Sequence, residues 1–448
     1  MSKTKNWEPG SWRKLTALQQ PTWDKGEMQK VFEELSQVPP LVFAGEIRSL
    51  RSSIANVENG EGFILQAGDC AESFDAFSAP AIREKLRIIL QMAVVLTYQS
   101  GVPTVKIGRI AGQFAKPRSE DVEVRDDITL PSYRGDIVND IGFSEVDRVP
   151  KAKRLIRGYN QSASTLNLLR AFTKGGFADL SRVHEWNKEF VATTPEGHRF
   201  EEIAKNISKA LEFMSACGID PSNEHKLHEV DFYTSHEALL LDYEEALTRK
   251  DSTTGDFYDC SAHLVWIGER TRQIENAHVE FMRGINNPIG IKLGPSATGK
   301  DAVELCNVLN PERESGKIVL VLRAGADSIG EVAPRIIEEV TKSGHKVTWM
   351  SDPMHGNTFK HASGYKTRHF DDILKEIEGF FAACSKTGVW PGGVHLELTG
   401  DNVTECLGGL DDLADLESRY ETRCDPRLNA RQGLDLAFRV SELLAARK

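Results

Sequence analysis

KIVLVLRAG (317–325), an amphipathic stretch over 330–343, KVTWMSDP (346–353), a second amphipathic stretch over 370–387 and GVHLELTG (393–400) follow one another along the chain. The three short pieces are apolar or β-branched and are punctuated by Gly or Pro, as buried strands are. The two longer pieces repeat apolar residues at helical spacing. Strands that alternate with helices form parallel βα units, because parallel neighbours need a long crossover between them. The same rhythm runs back towards the N-terminus. FILQAGDC (63–70) reads as a buried strand, and the helix after it carries Ile82, Leu86, Ile89, Leu90 and Ala93 on one stripe. TVKIGRI (104–110), HLVWIG (263–268) and IGIKLG (289–294) are further strands. A weaker one is expected near 420–424, before a C-terminal helix over 429–446. Seven clear strands and one weak one match an α/β fold of the (β/α)8 barrel type. An open, doubly wound sheet is the structural alternative.

The rhythm stops once, between the second strand and HLVWIG. A charged loop (119–140), a helix near 151–172 and a helical pair near 201–217 and 236–249 are expected there, as an insertion on a βα loop. The first 60 residues hold Trp7, Trp12 and Trp23 and two short helices near 25–36 and 45–55, parted by Pro39 and Pro40. The expected division is an N-terminal helical extension over 1–60 and a catalytic barrel over 61–448, with an inserted helical segment at about 150–250. No fixed-period repeat or low-complexity tract interrupts it.

The 448 residues carry 55 Lys and Arg against 66 Asp and Glu, a net charge of −11. That balance argues against a general nucleic-acid or anionic-membrane surface. No apolar run is long enough to span a bilayer, and MSKTKNWEPG lacks a signal core. Seven widely spaced cysteines without a CxxC pattern fit a reduced, cytoplasmic protein.

In such a barrel the chemistry sits at the C-terminal ends of the strands. Two sets of residues collect there. Arg109, Lys116, Arg118, Arg270, Lys292 and Arg323 are cationic. Arg forks and Lys point charges suit phosphate and carboxylate oxygens, so a small, multiply anionic substrate is expected. Taken singly, each could equally be an ordinary strand-end cation in a surface ion pair. The second set is Cys70, His355, Glu397 and Asp425. One thiol, one imidazole and two carboxylates form a mixed-softness donor set that suits Mn, Fe, Co or Zn better than Mg or Ca. Against this, a buried cysteine is more often a small apolar residue. Strand alternation turns His395 and Glu397 inward together and Val394, Leu396 and Leu398 outward.

GPSATGKD (294–301) nearly matches a phosphate-cradling loop, but Asp301 replaces the required hydroxyl and would repel phosphate. Lys300 is therefore expected to face solvent at a helix start. The remaining histidines show no ligand spacing. The acidic residues Asp411, Asp412 and Asp415 read as a solvated loop.

QAGDCAE, KIGRIAGQFAKPRS, VWIGERTRQ, GIKLGPS, LRAG, SDPMHGNT, GGVHLELTG and YETRCDPRLN, in that order, resemble the type II (plant-like) 3-deoxy-D-arabino-heptulosonate 7-phosphate (DAHP) synthases, in their long bacterial form. The resemblance spans nearly the whole chain. It implies a TIM barrel and the first step of the shikimate pathway, the condensation of phosphoenolpyruvate with erythrose 4-phosphate. It implies a divalent metal on Cys70, His355, Glu397 and Asp425, Mn²⁺ or Co²⁺ first, with Zn²⁺ and Fe²⁺ as alternatives. It implies that Arg109, Arg270, Lys292 and Arg323 hold phosphoenolpyruvate beside Glu269 and Trp266. Lys116, Arg118 and Ser119 would hold erythrose 4-phosphate. Glu269 and Lys292 would position or deprotonate water, Arg270 would lie between the substrates, and Lys116 would donate a proton to the developing alkoxide. An aromatic amino acid effector (tryptophan first), a homodimer or homotetramer, and association with a chorismate mutase are also implied. The competing expectations are a barrel aldolase for another sugar phosphate and a non-catalytic amino-acid-sensing subunit; the intact donor set argues against the latter.

Overall fold

The computed structural model describes residues 6–187, 192–217, 229–409 and 416–447. Eight strands form a closed parallel barrel. They are β1 (Phe63–Gly68), β2 (Thr104–Arg109), β3 (Phe232–Glu237), β4 (Leu264–Ile267), β5 (Ile289–Leu293), β6 (Ile318–Leu322), β7 (Thr348–Ser351) and β8 (Pro391–Glu397). Each pairs with its sequence neighbour, and β8 closes on β1 with Gln66 opposite His395 and Gly68 opposite Glu397. Closure excludes the open, doubly wound sheet.

Two expectations are corrected. The third strand is Phe232–Glu237, whose C-terminal end falls in the stretch read as the second helix of a pair; only Leu241–Leu247 is helical there. The sequence FYTSHE hid because its inward face is Tyr233, Ser235 and Glu237, and its outward face includes Thr234 and His236. Neither face is apolar enough to register as a buried strand. The stretch 420–424 is not a strand but a loop, in which the Tyr420 hydroxyl donates to the Lys366 carbonyl. The insertion follows β2, as expected, and includes α4 (Lys153–Lys174) and α5 (Pro195–Ala216). The residues Asp411, Asp412 and Asp415 lie outside the described residues.

The barrel interior is graded from base to mouth. Near the base Ile64, Ile107, Leu264, Val319 and Met350 pack with Leu50, Ile54 and Val57. These last three line one stripe of α2 (Ala44–Glu58) in the N-terminal extension, which thereby plugs the barrel's lower end. All three are essentially inaccessible to solvent. Each contributes roughly 1.5–3 kcal/mol relative to exposure. Midway up the interior becomes polar: Gln66 Nε2 donates to Ser235 Oγ at 2.9 Å, and His395 Nδ1 bonds Gln66 Oε1 at 2.8 Å. Charged groups occupy the mouth. Val394, Leu396 and Leu398 pack outward, in the helix-facing core.

The near-phosphate loop is a helix start. Thr298 and Asp301 form a reciprocal capping box on Gly299–Leu309, and Lys300 faces solvent.

Candidate active site

The strand ends converge on a cavity of about 470 Å³ at the C-terminal mouth. Its lining includes Arg109, Lys116, Arg118, Ser119, Trp266, Glu269, Arg270, Lys292, Arg323, His355 and Asp425. A larger cavity, about 900 Å³, opens at the opposite end beside Glu58, Lys346 and Trp390, and holds none of the expected site residues.

Cys70 follows β1, His355 lies just beyond β7, Glu397 ends β8, and Asp425 sits on the loop after it. Single donor atoms of Cys70, Glu397 and Asp425 all lie within 4.8 Å of one another. His355 Nε2 is 3.0 Å from Glu397 Oε1, so the imidazole borders this three-residue cluster on the Glu397 side. A cation already tests the fit. The Lys116 ammonium is 2.7 Å from Asp425 Oδ2, 2.9 Å from Cys70 Sγ and 3.3 Å from Glu397 Oε1. These side chains therefore converge on a point that binds positive charge, with the donor types a borderline transition metal prefers.

Burial alone would raise the Glu397 carboxyl, but His355, Lys116, Arg368 and Arg109 hold it well below the usual range. Asp425 is likewise held down, against its burial, by Lys116 above all. Burial pushes the Cys70 thiol up, and Cys424 and Glu397 add to the rise. A divalent cation reverses that preference, since a coordinating thiol deprotonates. Lys116 stays an ammonium: burial opposes this, but Asp425, Cys70 and Glu397 outweigh it.

The supporting groups are specific. Asp352 accepts from His355 Nδ1 at 2.8 Å and from Lys292 Nζ at 2.7 Å. It fixes the imidazole with Nε2 towards the cluster, the usual arrangement behind a metal-ligating histidine. Burial drives the Lys292 ammonium down to about 8; Asp352 opposes the fall and Arg109 adds to it. Arg109 is enclosed, donating to the carbonyls of Asp69 and Cys70, to Glu397 and towards His395 Nε2. Trp266 lies under this group, with Arg109 5.2 Å and Lys292 5.4 Å from its ring centre. Arg323 donates to the His355 carbonyl at 3.0 Å. Arg270 reaches across the mouth to Ser119 Oγ at 2.6 Å, joining the strand-4 loop to the KPRS segment. Arg118 pairs with Glu123 at 3.2 Å. Glu269 accepts from Arg272 through both oxygens and from the Gly294 N–H.

Three residues that the sequence alone did not single out belong to the site. Arg368, fully buried, donates to Glu397 Oε2 at 2.8 Å, to Thr358 Oγ1 at 2.8 Å and to the Pro426 carbonyl. It thus ties together the segments that carry three of the four donors. Glu237 ends the overlooked β3. Gln19, in the N-terminal extension, accepts from the Arg118 N–H at 2.8 Å and donates to the Arg118 carbonyl at 3.1 Å. No local motif marks Arg368 or Gln19, whose partners are distant in sequence.

Residues 7–441 match the family model described as the class-II DAHP synthetase family. The chain belongs to the class-II DAHP synthetase family. It is 56% identical over 445 residues to a phospho-2-dehydro-3-deoxyheptonate aldolase of Streptomyces coelicolor, covering 99% of this chain and 98% of that one. It is 49% identical over 435 residues to phospho-2-dehydro-3-deoxyheptonate aldolase AroG of Mycolicibacterium smegmatis, covering 96% and 92%. A solved structure of phospho-2-dehydro-3-deoxyheptonate aldolase from Francisella tularensis SCHU S4 aligns at a TM-score of 0.48 and 14% identity, over 94% of this chain and 97% of that one. The barrel assignment rests on strand pairing alone. Among the described residues no helix of this DAHP synthetase family member is long and apolar enough to cross a membrane.

Proposed function

We propose that this chain is a metal-dependent DAHP synthase, which condenses phosphoenolpyruvate with erythrose 4-phosphate and releases inorganic phosphate. The observation that carries this is the meeting of a mixed-softness donor cluster and a set of cations at one cavity. A divalent ion, Mn²⁺ or Co²⁺ first, held by Cys70, His355, Glu397 and Asp425, would supply Lewis acidity to a carbonyl oxygen.

The chain's own groups account for the rest. Arg270, Lys292 and Arg323 bind the carboxylate and phosphate of phosphoenolpyruvate over the Trp266 ring. Arg109 is saturated by its neighbours, so its part is to present a fixed positive wall. Arg118 and Ser119 take the phosphate of the aldehyde substrate. Carbon 3 of phosphoenolpyruvate forms a bond to the aldehyde carbon, and Lys116 gives the proton that turns the aldehyde oxygen into a hydroxyl. A water molecule adds at carbon 2. Its proton passes to Lys292, whose lowered basicity leaves a neutral fraction near pH 8. Glu269, engaged by Arg272 and Gly294, orients the loop that carries Arg270. The hemiketal then breaks its carbon–oxygen bond to phosphate, and the leaving charge is met by the arginines.

Regulation by an aromatic amino acid is part of the same proposal. A cavity of about 610 Å³ is lined by Leu90, Val94, Trp186, Ile207, Lys106 and Asp231. A largely apolar chamber edged by the Lys106 ammonium and by the carboxylates of Glu229 and Asp231 suits an aromatic ring with a charged ammonium group.

The test follows phosphoenolpyruvate loss by ultraviolet absorbance, with and without erythrose 4-phosphate, after chelation and after Mn²⁺ is restored. Consumption that needs both the aldehyde and the metal is the expected result. No consumption with any divalent metal overturns the proposal and favours an amino-acid-sensing role. Tryptophan, phenylalanine and tyrosine, singly and mixed, are then added; no change in rate removes the regulatory part.

A further inference from the structure

Three residues that line the mouth cavity each carry a buried polar atom with no hydrogen-bond partner among the described residues: Trp266 Nε1, Arg323 Nε and Glu237 Oε1. The first two are donors, in keeping with a site for anions. The third is an acceptor and needs a donor, because a buried, unsatisfied carboxylate oxygen is costly.

Several features hold Glu237 in this position. It is the last residue of β3 and shares the inward face with Tyr233 and Ser235. Its backbone N–H donates to Gln113 Oε1 at 2.9 Å, tying the strand end to the segment that leads to Lys116. Its carboxylate lies so close to Gly268 that a β-carbon there would collide with Glu237 Oε1. A larger residue at 268 would displace this carboxylate from its place beside the loop that carries Glu269 and Arg270. Of the other carboxylates around the cavity, Glu120 is exposed to solvent and three are engaged. Glu269 is held by Arg272 and Gly294, Glu123 by Arg118 and Arg148, and Asp425 by Lys116 and Lys366.

The two substrates of the proposed reaction differ in what they can give such an acceptor. Phosphoenolpyruvate carries a carboxylate and a phosphate and, at neutral pH, hardly any hydroxyl proton to donate. Erythrose 4-phosphate carries two hydroxyl groups. A cavity with seven cations in its lining offers donors in plenty, and most of its carboxylates are already taken. We infer that Glu237 accepts a hydrogen bond from a hydroxyl of the aldose phosphate and so makes the site select a polyhydroxylated aldehyde over its deoxy counterpart. This rests on the reaction proposed above.

The experiment compares kcat/KM for erythrose 4-phosphate and for its 2-deoxy and 3-deoxy analogues, in the wild type, Glu237→Leu and Glu237→Gln, each with Mn²⁺. Leucine keeps the size and removes the acceptor; glutamine keeps a neutral acceptor. A site built to bond a hydroxyl rejects the analogue that lacks it, so the wild type should prefer erythrose 4-phosphate to one analogue by about 10–100-fold. Glu237→Leu should erase that preference by raising KM for the aldose while leaving KM for phosphoenolpyruvate unchanged. Glu237→Gln should fall between the two, because a neutral acceptor makes a weaker bond. Wild-type discrimination retained in Glu237→Leu overturns the inference. So does a glutamine variant as impaired as the leucine one with the loss in kcat, since that pattern marks proton transfer. Should the leucine variant not fold, glutamine alone decides: reduced discrimination supports the inference, and unchanged discrimination overturns it. A wild type that condenses the two substrates but is indifferent to Glu237 sinks only this inference. A wild type that does not condense them sinks the proposed reaction itself.

Discussion

Lys116→Met should bind a divalent metal more tightly than the wild type while condensing its substrates far more slowly. The ammonium of Lys116 lies 2.7–3.3 Å from three of the four donor residues, so it competes with any metal for them. Removing one partner of a buried charged cluster typically costs about 3–5 kcal/mol, because the remaining charges are left uncompensated. That cost falls on the metal-free protein, and a bound dication relieves it. The metal affinity should therefore rise by about two to three and a half orders of magnitude, at 1.4 kcal/mol per factor of ten. Two measurements check this. Titration with Co²⁺, read by the visible and thiolate charge-transfer bands, gives the affinity directly. Thermal unfolding with and without chelator should show a lower Tm than wild type when metal-free and a larger rise on adding metal. Equal or weaker Co²⁺ binding in Lys116→Met would refute the claim that the ammonium occupies the metal's electrostatic position.

Ile54→Ala in the helical plug should cost about 2–5 kcal/mol in urea unfolding yet leave kcat/KM at 25 °C near wild type, because the cavity it opens is at the barrel's base. Gly135→Ala should destabilise the protein and depress activity together. Gly135 has φ +101°, and a β-carbon there meets the Phe114 carbonyl, so the segment leading to Lys116 must move. Glu244→Gln concerns the buried group of His236, Glu244, Ser261 and Asp259, in which burial pushes the Glu244 carboxyl up to about 7. A carboxyl raised on folding contributes stability that is full below about 4.5 and is lost as pH rises through about 7. The glutamine variant keeps that contribution, up to roughly 3 kcal/mol, so its Tm should exceed wild type at pH 8 and match it near pH 5. Equal Tm differences at both pH values would show that the carboxyl stays ionised throughout.

Most of the barrel was legible because its strands carry continuous Val, Ile and Leu runs, buried on both faces. The strand FYTSHE was not, because the inner face of a barrel turns polar towards its mouth and the strand lost the apolar signature there. The donor candidates were legible from their places at or just beyond strand ends, and Glu397 from alternation as well: once GVHLELTG is a strand, His395 and Glu397 must face inward together. Arg368 and Gln19 act through side-chain contacts with residues far away in the chain, and no periodicity encodes those. Glu237 was lost together with its strand, which shows how one missed element removes a functional group from view.

The N-terminal extension touches the barrel at both ends: Gln19 is bonded to Arg118 at the mouth, and α2 fills the base. A protein engineer trimming this chain to a minimal barrel would cut away a support of the Arg118 loop along with the stopper beneath it. The extension cannot be exchanged between relatives as a free cassette, since its sequence is constrained simultaneously by a hydrogen-bonded loop above and a hydrophobic socket below. Grafts that respect only one of those contacts should yield barrels that fold without turning over, or sites that are correctly built in a protein too unstable to keep them.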